Sequence, residues 1–179
     1  FKANGATLNK DDKEKYRKLS MDLSMLTLQF DQNALKDKNR FELLITDENE
    51  LSGLPESARD AAAMLAKSKD KNGWLFNLSA PSYIPFMRYS DKRDLREKMY
   101  REYMSVGNKG DEFDNKDIIK KIVNIRLEIA QLMGFKNYAE YALEHTMAKN
   151  SANVYKLLNQ LLEAYKPIAI NEYNAVEGF

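Results

Sequence analysis

Apolar side chains recur at steps of three and four over much of this chain. Tyr16, Leu19, Leu23, Leu26 and Phe30 fall on one face of a predicted helix. Met21, Met25 and Leu28 make a second stripe on it. A helix with two apolar faces is expected to be buried between partners. Asn9 to Asp12 supply its start, with acids in the first turn. The period then changes to two. Phe41, Leu43 and Ile45 alternate with Glu42, Leu44 and Thr46, and Trp74, Phe76 and Leu78 alternate after an Asn72-Gly73 turn signal. The pattern predicts two short paired strands, near 41–46 and 74–79, with Trp74 buried. Between them Pro55 stands at a first helical position. The Ala-rich run from Glu56 to Lys69 reads as a helix with Ala58, Ala61, Ala62 and Leu65 facing the core.

Pro81 and Pro85 predict an irregular segment or broken helix over residues 80–89. Asp91 is the expected N-cap of a helix that carries Leu95, Met99 and Tyr103 on one face and ends at Gly107. After a polar loop, Asp114 opens the clearest helix, with Ile118, Ile122, Ile125, Ile129 and Leu132 in register and Gly134 at its close. Asn137 to His145 reads as a short helix. Ser151 is expected to cap a last one, with Val154, Leu158, Leu161, Tyr165 and Ile168 in register and Pro167 kinking it. The sum is a mainly α fold, a helical bundle-like domain with one small two-stranded β element.

Composition narrows the function. The 28 basic and 27 acidic residues leave a formal charge of +1, and the two signs are interleaved, which argues against a nucleic-acid partner. No apolar run approaches the roughly 20 residues of a membrane helix. The chain starts at Phe1 without an initiator Met or signal-peptide pattern, so a processed chain or an excised piece is expected. There is no cysteine and one histidine, His145, so neither a cysteine metal site nor a His-Glu-x-x-His zinc helix exists here. No Gly-x-Ser-x-Gly elbow is present.

The residues that remain as candidate contacts are few. His145 lies at a helix end, where its charge suits the local dipole; the alternative is a substrate contact or a lone metal ligand. Tyr83, Phe86, Arg88 and Tyr89 occupy the proline-interrupted segment, and some of them would face a ligand if exposed. Tyr16, Phe30 and Tyr165 fall on apolar stripes and are expected in the core. Glu97 and Glu102 are expected in ion pairs within their helix, and Lys92, Arg93, Arg96, Lys98 and Arg101 on a solvated face. No catalytic or metal-ligating residue is assigned.

Two long stretches carry a resemblance. One runs from Gly73-Trp74-Leu75-Phe76-Asn77-Leu78 through Pro81, Tyr83 and Pro85 to Asp94-Leu95-Arg96-Glu97-Lys98-Met99-Tyr100. The other runs from Ile118-Ile119 through Ile125-Arg126-Leu127 to Leu132-Met133-Gly134-Phe135-Lys136-Asn137-Tyr138-Ala139, then Met147-Ala148-Lys149. Leu51-Ser52-Gly53-Leu54-Pro55 adds a third. In this order they resemble the thimet oligopeptidase family of zinc metallopeptidases, most of all its bacterial peptidyl-dipeptidase (dipeptidyl carboxypeptidase) branch.

The resemblance implies a two-lobed, mainly helical hydrolase around a deep channel that admits short unfolded peptides. Its zinc is held on a His-Glu-x-x-His helix with a further glutamate, towards the carboxyl end. None of those residues has a counterpart here. Residues 1–179 are therefore expected to be the helical amino-terminal, non-catalytic part of the channel wall. That part would bind no zinc itself, would pack on the remainder of the same polypeptide, and would self-associate through its last apolar helix when alone. Carboxyl-terminal dipeptides would be the product, in the bacterial cytoplasm or periplasm. The alternatives are a self-contained helical interaction module or a non-catalytic paralogue.

Overall fold

The computed structural model describes residues 5–178. Among them are seven α-helices and one two-stranded sheet, a mainly α fold. In chain order these are α1 (Lys10–Arg40), β1 (Leu43–Ile45), α2 (Glu56–Ser68), β2 (Trp74–Phe76), α3 (Ala80–Tyr89), α4 (Arg93–Met104), α5 (Lys116–Leu132), α6 (Tyr138–Leu143) and α7 (Ser151–Glu177). The chain divides into two compact units. Ser24–Ile122 forms one; the residues up to Leu23 and those from Val123 onward form the other.

In the Ser24–Ile122 unit, β1 and β2 pair antiparallel with Leu43 opposite Phe76 and Ile45 opposite Trp74. Period-two alternation survives in β1, where Leu43 and Ile45 are buried and Leu44 is 42% exposed. It fails in β2. Leu75 and Phe76 are both buried, and Trp74 is only partly buried against the core. α2 supplies the reason, because its alanine side packs on β2 and covers the face that would otherwise meet solvent. Leu51, Leu54, Leu78, Phe86 and Met99 join the sheet residues in one core, in which the Phe76 and Phe86 rings meet edge to face, centroids 4.7 Å apart.

The proline-interrupted segment is the main departure. α3 is a regular helix over Ala80–Tyr89 with Pro81 in its first turn, where no intrahelical N–H is needed, and Pro85 inside it. Phe86, directly after Pro85, is fully buried, and this anchor compensates for the bond that Pro85 cannot donate. Asp91 does not cap α4. Its carboxylate accepts the Ser52 hydroxyl at 2.6 Å and its N–H donates to the Ser52 carbonyl at 2.9 Å, while Lys92 takes the N-cap position without a side-chain bond. These bonds hold the Ser52-Gly53 turn against the end of α3. Gly53 has φ +83°, and a β-carbon there would lie 2.1 Å from the Tyr89 carbonyl oxygen.

In the other unit Asn137 caps α6, accepting the Glu140 N–H at 3.0 Å. Asn150, not Ser151, caps α7 by accepting the Asn153 N–H at 2.9 Å. α7 continues through Pro167 to Glu177. From Tyr155 onward every described residue of α7 is exposed, Tyr165 at 63%. Tyr165 is thus not a core residue, and Tyr16 and Phe30 are only half-buried. Met21, Met25 and Leu28 of α1 are also exposed, so its second stripe has no cover among the described residues.

Burial ranks the aromatic side chains. Phe86→Ala removes a fully buried ring and is expected to cost about 3–5 kcal/mol. Trp74→Ala, at a half-covered site, is expected to cost about half of that. Denaturant unfolding followed by circular dichroism measures both, and a larger loss for Trp74 than for Phe86 would contradict this packing.

Candidate functional site

The candidates from sequence do not converge. Tyr83 is half-buried and its ring stacks on Tyr103 at 4.3 Å between centroids. The Lys38 ammonium lies over the outer Tyr103 ring at 5.6 Å. Burial pushes the Tyr83 hydroxyl above its ordinary pKa, with Tyr103 and Tyr100 adding to the shift. Arg88 and Tyr89 lie at the exposed end of α3, where the guanidinium sits 5.3 Å from the centre of the Tyr89 ring. Phe86 belongs wholly to the core. His145 belongs to the other unit. It lies beyond the end of α6, exposed, with Nε2 3.4 Å from the Glu144 carboxylate.

The carboxylates divide between ordinary and unusual roles. Glu97 pairs with Arg101 within α4 at 2.7 Å, as expected, but Glu102 reaches out of the helix to Lys109 at 2.7 Å. The described residues contain no group of three or more His, Cys, Asp or Glu side chains that would hold a metal ion. The zinc implied by the resemblance therefore has no donor set among them.

The most elaborate polar site lies where α1 meets the loop between α4 and α5. Asp37 is fully buried. It accepts the Gly107 N–H at 2.7 Å, the Arg40 Nε–H at 2.7 Å and the Lys109 ammonium at 3.1 Å. Arg40 goes on to pair with Asp111 and lies over the Phe113 ring at 5.0 Å. One turn earlier on α1, the Asn33 amide donates to Asn115 at 3.1 Å, and Asn115 donates to the Phe30 carbonyl at 3.1 Å. The Asn115 N–H closes the loop on the Gly107 carbonyl at 2.8 Å. Gly107 has φ +68°, and a β-carbon on it would crowd the Asn115 amide at 3.0 Å. Chemically this is a scaffold: among the described residues no buried side-chain nitrogen or oxygen lacks a hydrogen-bond partner.

The site's electrostatics follow from that geometry. Burial pushes the Asp37 carboxyl upward. The Gly107 N–H and Lys109, with the charge of Arg40, outweigh it and hold the pKa below the ordinary value. Lys109 is also opposed by burial, but its bonds to Glu102 and Asp37 hold its pKa above the usual lysine value. At the start of α5 the Lys116 side chain and N–H, with the Gly110 N–H, pull Asp114 down to about 2. In the other unit burial and a hydrogen bond with Tyr16 push Tyr141 up to about 12.

Sequence reasoning assigned no role to Asp37, Asn33 or Asn115. Lys36-Asp37-Lys38 looks like alternating surface charge. The one available signal was spacing, since Asn33 and Asp37 stand four apart and share a helix face.

Comparison with known proteins places the chain as follows. The family model described as peptidase family M3 matches residues 86–179. Oligopeptidase A of Haemophilus influenzae is 38% identical over all of this chain, which covers 27% of that protein. A probable cytosolic oligopeptidase A of Arabidopsis thaliana is 38% identical over 98% of the chain, covering 26% of that protein. Dipeptidyl carboxypeptidase of Escherichia coli is 29% identical over 97% of the chain, again 26% of that protein. The chain thus spans about a quarter of the length of the curated relatives it matches.

Asp37 carries a pH prediction. Its pKa is lower folded than unfolded, so its stabilisation is complete above the unfolded value of about 4 and is lost as pH falls through the folded value. Asp37→Ala is expected to cost about 3–5 kcal/mol at pH 7, because it leaves the buried Gly107 N–H without its acceptor and takes from Lys109 one of its two carboxylate partners. It should also flatten the loss of stability in acid. Urea unfolding from pH 2 to pH 7 tests both, and an unchanged acid limb in the variant would count against the assignment.

Proposed function

The chain belongs to peptidase family M3, and from that premise we propose that it is the non-catalytic helical part of a zinc metallopeptidase acting on short peptides. The observation that carries this reading is the alignment. It runs the whole length of the chain yet covers only about a quarter of each relative. Metal binding and bond cleavage are assigned to the remaining polypeptide, and the described residues form part of the channel wall. The unpartnered face of α7, with Leu158 at 51% and Leu161 at 43% exposure, supports a role in packing on that remainder.

Oligopeptidase activity is the favoured reaction, because the oligopeptidase A relatives share more identity with this chain than the dipeptidyl carboxypeptidases do. Release of carboxyl-terminal dipeptides is the second reading, supported by the 29% identity with one such enzyme. Metal chemistry would come from zinc bound elsewhere in the polypeptide, and this chain's residues would shape and support the channel. An interaction module without hydrolytic activity is the reading that the test below would favour on failure.

A fluorogenic short-peptide assay separates these readings. The polypeptide extended along its reading frame should cleave, and a chelator should abolish the cleavage. The 179-residue chain alone should not cleave. Product masses distinguish internal cleavage from stepwise dipeptide release. Chelator-sensitive cleavage by the 179-residue chain alone, or no cleavage by the extended polypeptide with zinc supplied, would overturn the proposal.

A further inference from the structure

Between α2, β2 and the start of α3 lies a cavity of about 140 Å³. Its walls are apolar. Ala58, Ala61, Ala62 and Leu65 line it from α2, and Leu75 and Phe76 from β2. The space follows from the sequence, since α2 presents methyl groups where larger side chains would reach β2. The chamber opens to the surface at Ala61, Ser79 and Pro81, which are exposed, while Ala62, Leu75 and Phe76 form its buried floor.

One side of the cavity is polar. Asn77 and Ser82 line it there, and they are held by a short network. The Asn77 N–H donates to the Ser82 hydroxyl oxygen at 3.0 Å. The Asn77 side-chain oxygen accepts the Ser79 N–H at 3.0 Å and the Ser79 hydroxyl at 2.6 Å. These bonds use acceptors. No protein acceptor takes the Asn77 amide nitrogen or the Ser82 hydroxyl hydrogen among the described residues, so two residues that line the chamber keep a donor for a ligand.

We propose that this cavity binds a single aromatic ring carrying a hydrogen-bond acceptor. Volume and chemistry both favour it. The cavity's volume of about 140 Å³ is close to the roughly 150 Å³ of apolar cavities that take up benzene, and its floor is aliphatic and aromatic. A bare ring would fill the chamber and leave the donors unused, whereas a phenolic oxygen or a carbonyl next to the ring would meet them. The same ring chemistry occurs in free phenols and in the phenylalanine or tyrosine of a peptide, and the cavity accepts the ring from either source. The proposal does not depend on the peptidase reading.

The test titrates 4-methylphenol, toluene and N-acetylphenylalanine amide into the 179-residue chain, with backbone shifts followed by nuclear magnetic resonance. Saturable shifts are expected at Leu75, Phe76 and the alanines of α2, with 4-methylphenol bound about fivefold tighter than toluene. Ser82→Ala should remove that preference and leave toluene unchanged. Ala58→Leu should fill the chamber and weaken every ring at least about tenfold. Ala58→Val serves the same purpose should the larger variant fail to fold. Binding of the amide as well as the phenol assigns the ring to a peptide; binding of the phenol alone assigns it to a free small molecule. No saturable shift with any probe, or binding unaffected by filling the chamber in a folded variant, would overturn the proposal.

Discussion

One buried carboxylate organises the Ser24–Ile122 unit. Asp37 comes from the last turn of α1 and takes three donors, Arg40 from its own turn and the Gly107 N–H and Lys109 ammonium from a loop 70 and 72 residues away. A charge removed from water is tolerated only when such bonds replace its hydration. The arrangement therefore specifies position strongly, because a shifted loop would strand the charge. α4 must stop where Gly107 turns, and α5 must start where Asn115 can reach both Phe30 and Gly107. The core of β1, β2, α2 and α3 supplies the hydrophobic stabilisation, while the Asp37 and Asn115 bonds fix where the chain enters and leaves that core.

The proposed function rests on family membership. The polar groups of the Asp37 site are committed to one another, and the aromatic pair Tyr83 and Tyr103 is stacked within the fold. Under the proposed function, such a piece would contribute shape and rigidity to a peptidase whose chemistry lies elsewhere in the polypeptide. The broad exposed faces of α1 and α7 agree with a part that has further surfaces to cover. Two features meet at the family-like segment Leu51–Pro55. It turns on Gly53, and it fastens the end of α3 through Ser52 and Asp91.

Much of this was legible in the sequence, for reasons that are local. The period of three and four in α5 and of two in β1 follows directly from which side chains are buried, and Asn9 and Asn137 cap as their chemistry suggests. What escaped was decided by distant partners. α3 forms despite Pro85 because Phe86 has a core to enter. Trp74 is half-exposed because α2 covers Leu75 instead. Asp91 is diverted from capping by Ser52, which lies 39 residues earlier. The burial of Asp37 could not be read from a Lys-Asp-Lys stretch, since the burial of a charge depends wholly on donors elsewhere. The candidate contacts Tyr83, Arg88, Tyr89 and His145 were chosen by residue type, and the fold assigns them to two units.

The most direct test of the central claim is hydrogen exchange at the Gly107 amide. If the Asp37 bond is the fixed point of this unit, that amide exchanges only when the unit unfolds, with a protection free energy equal to the one obtained from denaturant unfolding. In Asp37→Asn, which keeps the shape and removes the charge, its protection should fall by at least about tenfold more than that of the buried amides of β2. Rapid exchange of Gly107 in the unaltered protein, at a rate typical of an open loop, would contradict the account.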